Sequence, residues 1–169
     1  MVESSQSADH PLHGKVYKMR NVFDSGRGPH DKWVSFRNDD RAWRATYSEA
    51  DAVPLKFFKV DGKPNVYKLK QLWASNVYWV SHSNDGTWLY GRYDEEKDAM
   101  PIYFEKLDNN GSFSSPGEQW VMKNLYTPCT GGHRWISFTN DGSWIRAVYS
   151  RKEDAMNVKL VETQSDLDA

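Results

Sequence analysis

The chain has 169 residues and a mass of 19.6 kDa, the size of one ordinary domain, and can bury about two thirds of its unfolded surface without covalent staples. Lys and Arg number 22 against 23 Asp and Glu, for a net charge of −1 with no block of like charge, which argues against a nucleic-acid partner held by counterion release. A single cysteine, Cys129, excludes an internal disulfide and any zinc site built on paired cysteines, and suits a reducing compartment.

Taken from its start, the chain opens on MVESSQSADHPLHG, which has no charged segment followed by an apolar run; no 18-residue apolar stretch occurs anywhere. The expectation is a cytoplasmic protein with no membrane insertion, any release from the cell being non-classical. Residues 1–13 read as a disordered polar tail. Its His10-x-x-His13 pair has ligand-type side chains, but a frayed tail cannot preorganise them, so no metal is expected.

The first patterned run is Val16 to Phe23, VYKMRNVF, and the next begins at Trp33 with WVSF. Asn38-Asp39-Asp40 marks a hairpin tip, a return strand runs to Tyr47, and DAVPLKFF from Asp51 supplies a fourth run. Because aspartate replaces the glycine that tolerates positive φ, this hairpin is expected to be wider or strained. The same order follows twice more. VYKLKQLW (Val66 to Trp73) precedes Trp79, the Asn84-Asp85-Gly86 tip, Tyr93 and DAMPIYFE; QWVMKNLY (Gln119 to Tyr126) precedes Trp135, Asn140-Asp141-Gly142, Tyr149 and DAMNVKLV. The tryptophans lie 46 and then 56 residues apart, and each tyrosine follows its tryptophan by 14. That constancy is the mark of a repeat.

Each unit holds four short runs of period-two alternation rich in β-branched and aromatic residues, which predicts twelve strands and no amphipathic helix. Val34/Phe36, Val80/His82 and Ile136/Phe138 share one face of strand two; Leu55/Phe57, Ile102/Phe104 and Val158/Leu160 do so in strand four. These are the candidate core. One unit of about 50 residues cannot cover its own face or edges, so three units must close on a common axis.

Strand order, the aromatic-hydrophobic-Ser motif and the small residues Ala45, Gly91 and Ala147 together resemble the β-trefoil unit, as in fascin-like and amaranthin-like repeats. The resemblance covers residues 14 to 163, with units 14–62, 63–112 and 117–163 and a tail at 164–169. It implies an all-β, pseudo-threefold barrel of six strands capped by three hairpins, in one domain. A β-prism with one sheet per repeat is the competing architecture.

Catalysis needs one competent constellation, and none stands out. Asp51, Asp98 and Asp154 recur in every unit, which predicts a turn role with carboxylates bonding local N–H groups. His82, in place of a core Phe, is expected to be a satisfied structural histidine. Gly26-Arg27-Gly28 and Gly131-Gly132 lack the strand-to-helix context of phosphate loops. The chain is expected to be no enzyme and to need no cofactor.

Alternation turns Trp33, Trp79 and Trp135 away from the core side of strand two, at three related places. With Asn38/Asp39, Asn84/Asp85 and Asn140/Asp141 at the tips and Arg44, Arg92 and Arg146 on the next strand, each could stack on a sugar and bind its hydroxyls. The alternative is that each indole packs across to the third strand. Three weak sites on one body give avidity for displayed glycans.

Here the chain resembles the cytoplasmic β-trefoil lectins of fungi and plants, which implies a non-catalytic, multivalent agglutinin for glycans or glycoproteins, often a homodimer and sometimes defensive. The Gln-x-Trp of ricin-type units occurs only as Gln71-Leu72-Trp73, in strand one rather than strand four, so those contacts do not carry over. A fascin-like actin or protein-binding module is the first alternative. A β-trefoil protease inhibitor is the second, its reactive loop at 108–117 or 24–32.

Overall fold

The computed structural model describes residues 9–22, 32–36, 41–73, 76–82, 88–107, 118–125, 135–138 and 144–165. Its twelve strands are β1 (Val16–Asn21), β2 (Lys32–Phe36), β3 (Trp43–Thr46), β4 (Leu55–Lys59), β5 (Val66–Trp73), β6 (Asn76–His82), β7 (Leu89–Tyr93), β8 (Ile102–Lys106), β9 (Trp120–Asn124), β10 (Trp135–Phe138), β11 (Ile145–Tyr149) and β12 (Val158–Glu162). Three 3₁₀ turns, Glu49–Asp51, Glu96–Asp98 and Lys152–Asp154, lead into the fourth strand of each unit.

Antiparallel pairing runs β1–β4, β4–β5, β5–β8, β8–β9, β9–β12 and back from β12 to β1, so six strands close a barrel without an edge. β2–β3, β6–β7 and β10–β11 form hairpins on β1, β5 and β9. Single bridges Ala42↔Tyr90, Arg44↔Trp144 and Trp88↔Arg146 tie the three hairpins to one another. The fold is an all-β β-trefoil with four strands per repeat.

Period-two burial is the reason these segments settle as strands: β4 buries Leu55 and Phe57 and leaves Lys56 and Phe58 only partly covered. The core unites Met19, Phe57, Leu69, Phe104, Met122 and Val158 of the barrel with Val34, Val80, Ile136 and Phe138 of the hairpins. A buried side chain of this size contributes about 1.5–3 kcal/mol by removal from water. The candidate core positions lie in this cluster with two exceptions: Leu160 packs against it, and His82 is half-buried. Backbone N–H groups of Val53, Met100 and Met156 donate to the strand-two carbonyls of Val34, Val80 and Ile136, at 3.0, 3.2 and 3.1 Å. The three linkers are thereby pinned in the same way.

The Asp-Ala motifs do mark these turns, but in unit one the cap is Ser48, whose hydroxyl accepts from the Ala50 N–H, and Asp51 closes the turn through its backbone. The tip residues Asn38, Asp39 and Asp40 lie outside the described residues. Arg41, directly after them, has φ +62, a left-handed conformation uncommon for a residue other than glycine.

Unit two departs from its neighbours at the small residue of strand three. A Cβ added to Gly91 would stand 1.8 Å from Gln71 Oε1, and Gln71 is fully buried with Oε1 accepting from Trp43 Nε1 at 3.3 Å. In the other units the positions equivalent to Gln71 are Asn21 and Asn124, and those equivalent to Gly91 are Ala45 and Ala147. A longer amide is matched by the loss of a methyl group.

Residues 9–13, expected in the polar tail, are instead docked on β4, β5 and the turn between them. Leu12 is buried and its N–H donates to the Tyr67 hydroxyl at 3.0 Å. His10 Nε2 lies 3.1 and 3.0 Å from the Val60 and Lys63 carbonyls, which fixes it as a donor, and the ring meets Tyr67 edge-on. His13 Nδ1 accepts the Lys59 N–H at 3.0 Å, the Asn65 N–H donates to the Asp9 carbonyl, and the Gly14 N–H to that of Phe57. Gly14 takes φ +80, which turns the segment into β1.

Candidate functional site

The three tryptophans stand at equivalent places, as expected, but they are not open platforms. Trp33 and Trp79 are only 8% and 7% exposed, and Trp135 is half-buried. Each faces a cation on the neighbouring strand one: Arg20 opposite Trp33, Lys70 opposite Trp79 and Lys123 opposite Trp135. Guanidinium or ammonium groups sit over the rings at 6.0, 5.4 and 5.3 Å. Phe58 adds a tilted contact to Trp79 at 5.0 Å. The expectation of exposed stacking surfaces is corrected here: the long basic side chains fold their stems over the indoles and keep their charges in water.

The arginines do not form one equivalent set. Register places Ser35 opposite Arg44, Ser81 opposite Tyr90 and Ser137 opposite Arg146, so Arg44 and Arg146 are equivalent and Arg92 lies two residues further along, at the position of Thr46. Arg92 stacks on Tyr90 at 3.9 Å and Arg146 on Trp88 at 4.4 Å. Asn84, Asp85, Asn140 and Asp141, like Asn38 and Asp39, lie outside the described residues.

The tyrosines that close strand three divide two against one. Tyr93 donates to the His82 carbonyl and Tyr149 to that of Phe138, both at 2.7 Å, so each lies back along its strand two. Burial raises the Tyr93 phenol above its ordinary value, against the opposing pull of Arg92. Tyr47 does otherwise. It is 79% exposed, and its ring lies under Lys32 Nζ at 4.0 Å.

Where a returned Tyr47 would lie, unit one has a cleft of about 310 Å³ lined by Ser35, Phe36, Arg44, Thr46, Asp51 and Trp73. Trp73 ends β5, the longest strand, because β5 and β6 are joined through residues 74–75 alone, and it meets Phe36 edge-on at 5.7 Å. A second cleft of about 550 Å³ lies beside the N-terminal segment, flanked by Leu12, Tyr103 and Trp120 and bordered by the Lys106–Glu118 ion pair at 3.1 Å.

The two histidines of the HPLH motif are held apart in role: His13 Nδ1 is committed to the Lys59 N–H, and His10 donates from Nε2, which leaves its Nδ1 buried without a hydrogen-bond partner among the described residues. No group of three or more His, Cys, Asp or Glu side chains is placed to hold a metal among the described residues.

The loops proposed from sequence as reactive segments, 24–32 and 108–117, lie outside the described residues apart from Lys32. Their bases are well defined: Asn21 pairs with Lys32 across one, and Lys106 with Trp120 across the other.

No family model matches the chain, and no curated protein matches it. Among solved structures, it is similar to the Kunitz-type cysteine protease inhibitor PCPI-3 from potato, with a TM-score of 0.53 and 10% identity, covering 92% of this chain and 93% of that one.

Proposed function

We propose that this protein is a non-catalytic β-trefoil binding protein that acts as a proteinase inhibitor. The observation that carries the reading is the likeness, along nine tenths of both chains, to the potato cysteine protease inhibitor. The strand pairs that hold both ends of 24–32 and 108–117 support it, because a loop whose ends are already fixed loses less freedom on binding.

Multivalent glycan recognition through Trp33, Trp79 and Trp135 is the weaker reading, since their faces are occupied by Arg20, Lys70 and Lys123. A fascin-like module binding actin shares the character of a protein-binding surface but has no loop requirement. The test is titration of papain-like cysteine and serine proteinases with the purified chain. Stoichiometric inhibition, lost when 108–117 or 24–32 is replaced by a Gly-Ser linker in a folded variant, is the expected result. Full proteinase activity throughout, with actin co-sedimentation or glycan-array binding in its place, would overturn it.

A further inference from the structure

The cleft at the junction of units one and two combines features that its counterparts lack. Trp73, partly buried at the end of β5, offers an aromatic surface held in place by Phe36. Arg44 and Asp51 line the same cleft, and neither side chain has an ion-pair or hydrogen-bond partner among the described residues. Thr46 and Ser35 contribute hydroxyls, that of Ser35 donating to the Asp51 carbonyl at 2.6 Å and so fixing the turn that carries Asp51.

Unit two puts Tyr90 and Arg92 at the positions of Arg44 and Thr46, and Arg92 is stacked on Tyr90. In unit three Arg146 is drawn over Trp88, and Val148 stands at the Thr46 position. In both, the tyrosine hydroxyl is bonded back to strand two. Only in unit one is the arginine unstacked on a described ring and the tyrosine turned outward, 79% exposed.

We infer that this cleft is a single saccharide-binding site that takes one neutral pyranose ring. Trp73 would meet the C–H face of the sugar, Arg44 would donate to a hydroxyl or ring oxygen, and the Asp51 carboxylate would accept from adjacent hydroxyls. A cleft of about 310 Å³ is at the lower end of small-ligand sites, of one-ring rather than oligosaccharide size. Tyr47 leaves the cleft open: turned to the position its two counterparts hold, it would occupy the same space as the sugar, so its outward placement over Lys32 is what makes room for the ring.

The site is monovalent, so it binds without agglutinating. That distinguishes it from the triplicated tryptophan sites.

Saturation-transfer NMR and calorimetry with the full-length chain and glucose, galactose, mannose, N-acetylglucosamine and fucose test this, with glycine as a zwitterionic control. At least one pyranose should bind, in the weak range of a ligand so small, at one site per chain. Asp51→Asn and Arg44→Ala alter exposed side chains, so each should keep the wild-type melting curve while lowering affinity by about tenfold or more, whereas Tyr47→Ala, which removes the ring that could fill the cleft, should not lower it. Lys123→Ala, at the unit-three tryptophan, should leave it unchanged. Three results would each overturn the proposal: no pyranose binding by folded protein, binding that survives Asp51→Asn and Arg44→Ala, or binding of glycine in place of sugar. Inhibition of a proteinase should be the same in all these variants, so loss of one activity leaves the other readable.

Discussion

Gly91→Ala is the most informative single change. The added methyl would stand 1.8, 2.2 and 2.7 Å from Oε1, Cδ and Nε2 of Gln71, a side chain with no exposure and therefore no room to swing into water. Relief requires the amide to rotate off Trp43 Nε1, or the β5–β7 side of unit two to spread. Leaving a buried donor without its acceptor costs about 1–3 kcal/mol, and overpacking a filled core about 1–3 kcal/mol more. A loss of about 2–6 kcal/mol lowers Tm by roughly 4–24 °C for a chain of this length. Differential scanning calorimetry and urea unfolding measure it directly. The repeats also supply the remedy: Gln71→Asn with Gly91→Ala recreates the Asn-plus-Ala pairing of the other two units. The double variant should recover most of the loss, falling short by the Trp43 hydrogen bond. A Gly91→Ala protein within about 0.5 kcal/mol of wild type, or a double variant no better than the single, would refute the compensation argument.

Three further outcomes follow from the N-terminal segment and the tryptophan covers. Leu12→Ala should destabilise by about 2–5 kcal/mol, and Tyr67→Phe by about 1–3 kcal/mol because the Leu12 N–H is stranded; limited proteolysis should cut near residues 9–14 first in both. The proton affinity of His13 is lowered by burial first, then by Lys59, His10 and Lys56, with Asp61 opposing. The unfolded chain therefore takes up the proton more readily, so the contribution of His13 is whole above its ordinary value of 6.5 and is lost as pH falls below it. Wild type should lose more stability than His13→Gln between pH 8 and pH 5, and identical profiles would remove the effect. Finally, Lys123→Ala should redden and strengthen iodide quenching of the Trp135 emission with a stability loss of about 0.5–1 kcal/mol, while an unchanged spectrum would mean that Lys123 does not cover the ring.

The strands and their threefold order were legible because period-two alternation recurs in every unit and fixes which side of each strand enters the core. The covers on the tryptophans were not, since alternation says which way an indole turns and nothing about what crosses it from the next strand. An alignment of strand one would have offered a hint: Arg20, Lys70 and Lys123 fall at one position. Grouping Arg92 with Arg44 and Arg146 by residue type, rather than by the frame of Tyr47, Tyr93 and Tyr149, misplaced it by two residues. The segment around His10 and Leu12 has neither helical nor strand period, so its docking through backbone carbonyls left no mark in the pattern. Equivalent tyrosines in sequence likewise hid the outward turn of Tyr47, and with it the cleft beneath.

The pairing of Tyr17 with Glu162, at opposite ends of the chain, has a consequence for synthesis. Of the twelve strands of this fold β1 is made first, yet β12, the neighbour that completes its hydrogen-bond ladder, is made after the other eleven. Until then a nascent chain carries an open sheet with its Met19 and Leu55 side exposed. Closing a contact so distant in sequence makes this topology a slow folder, and the unfinished intermediate is the species most open to aggregation and to capture by chaperones.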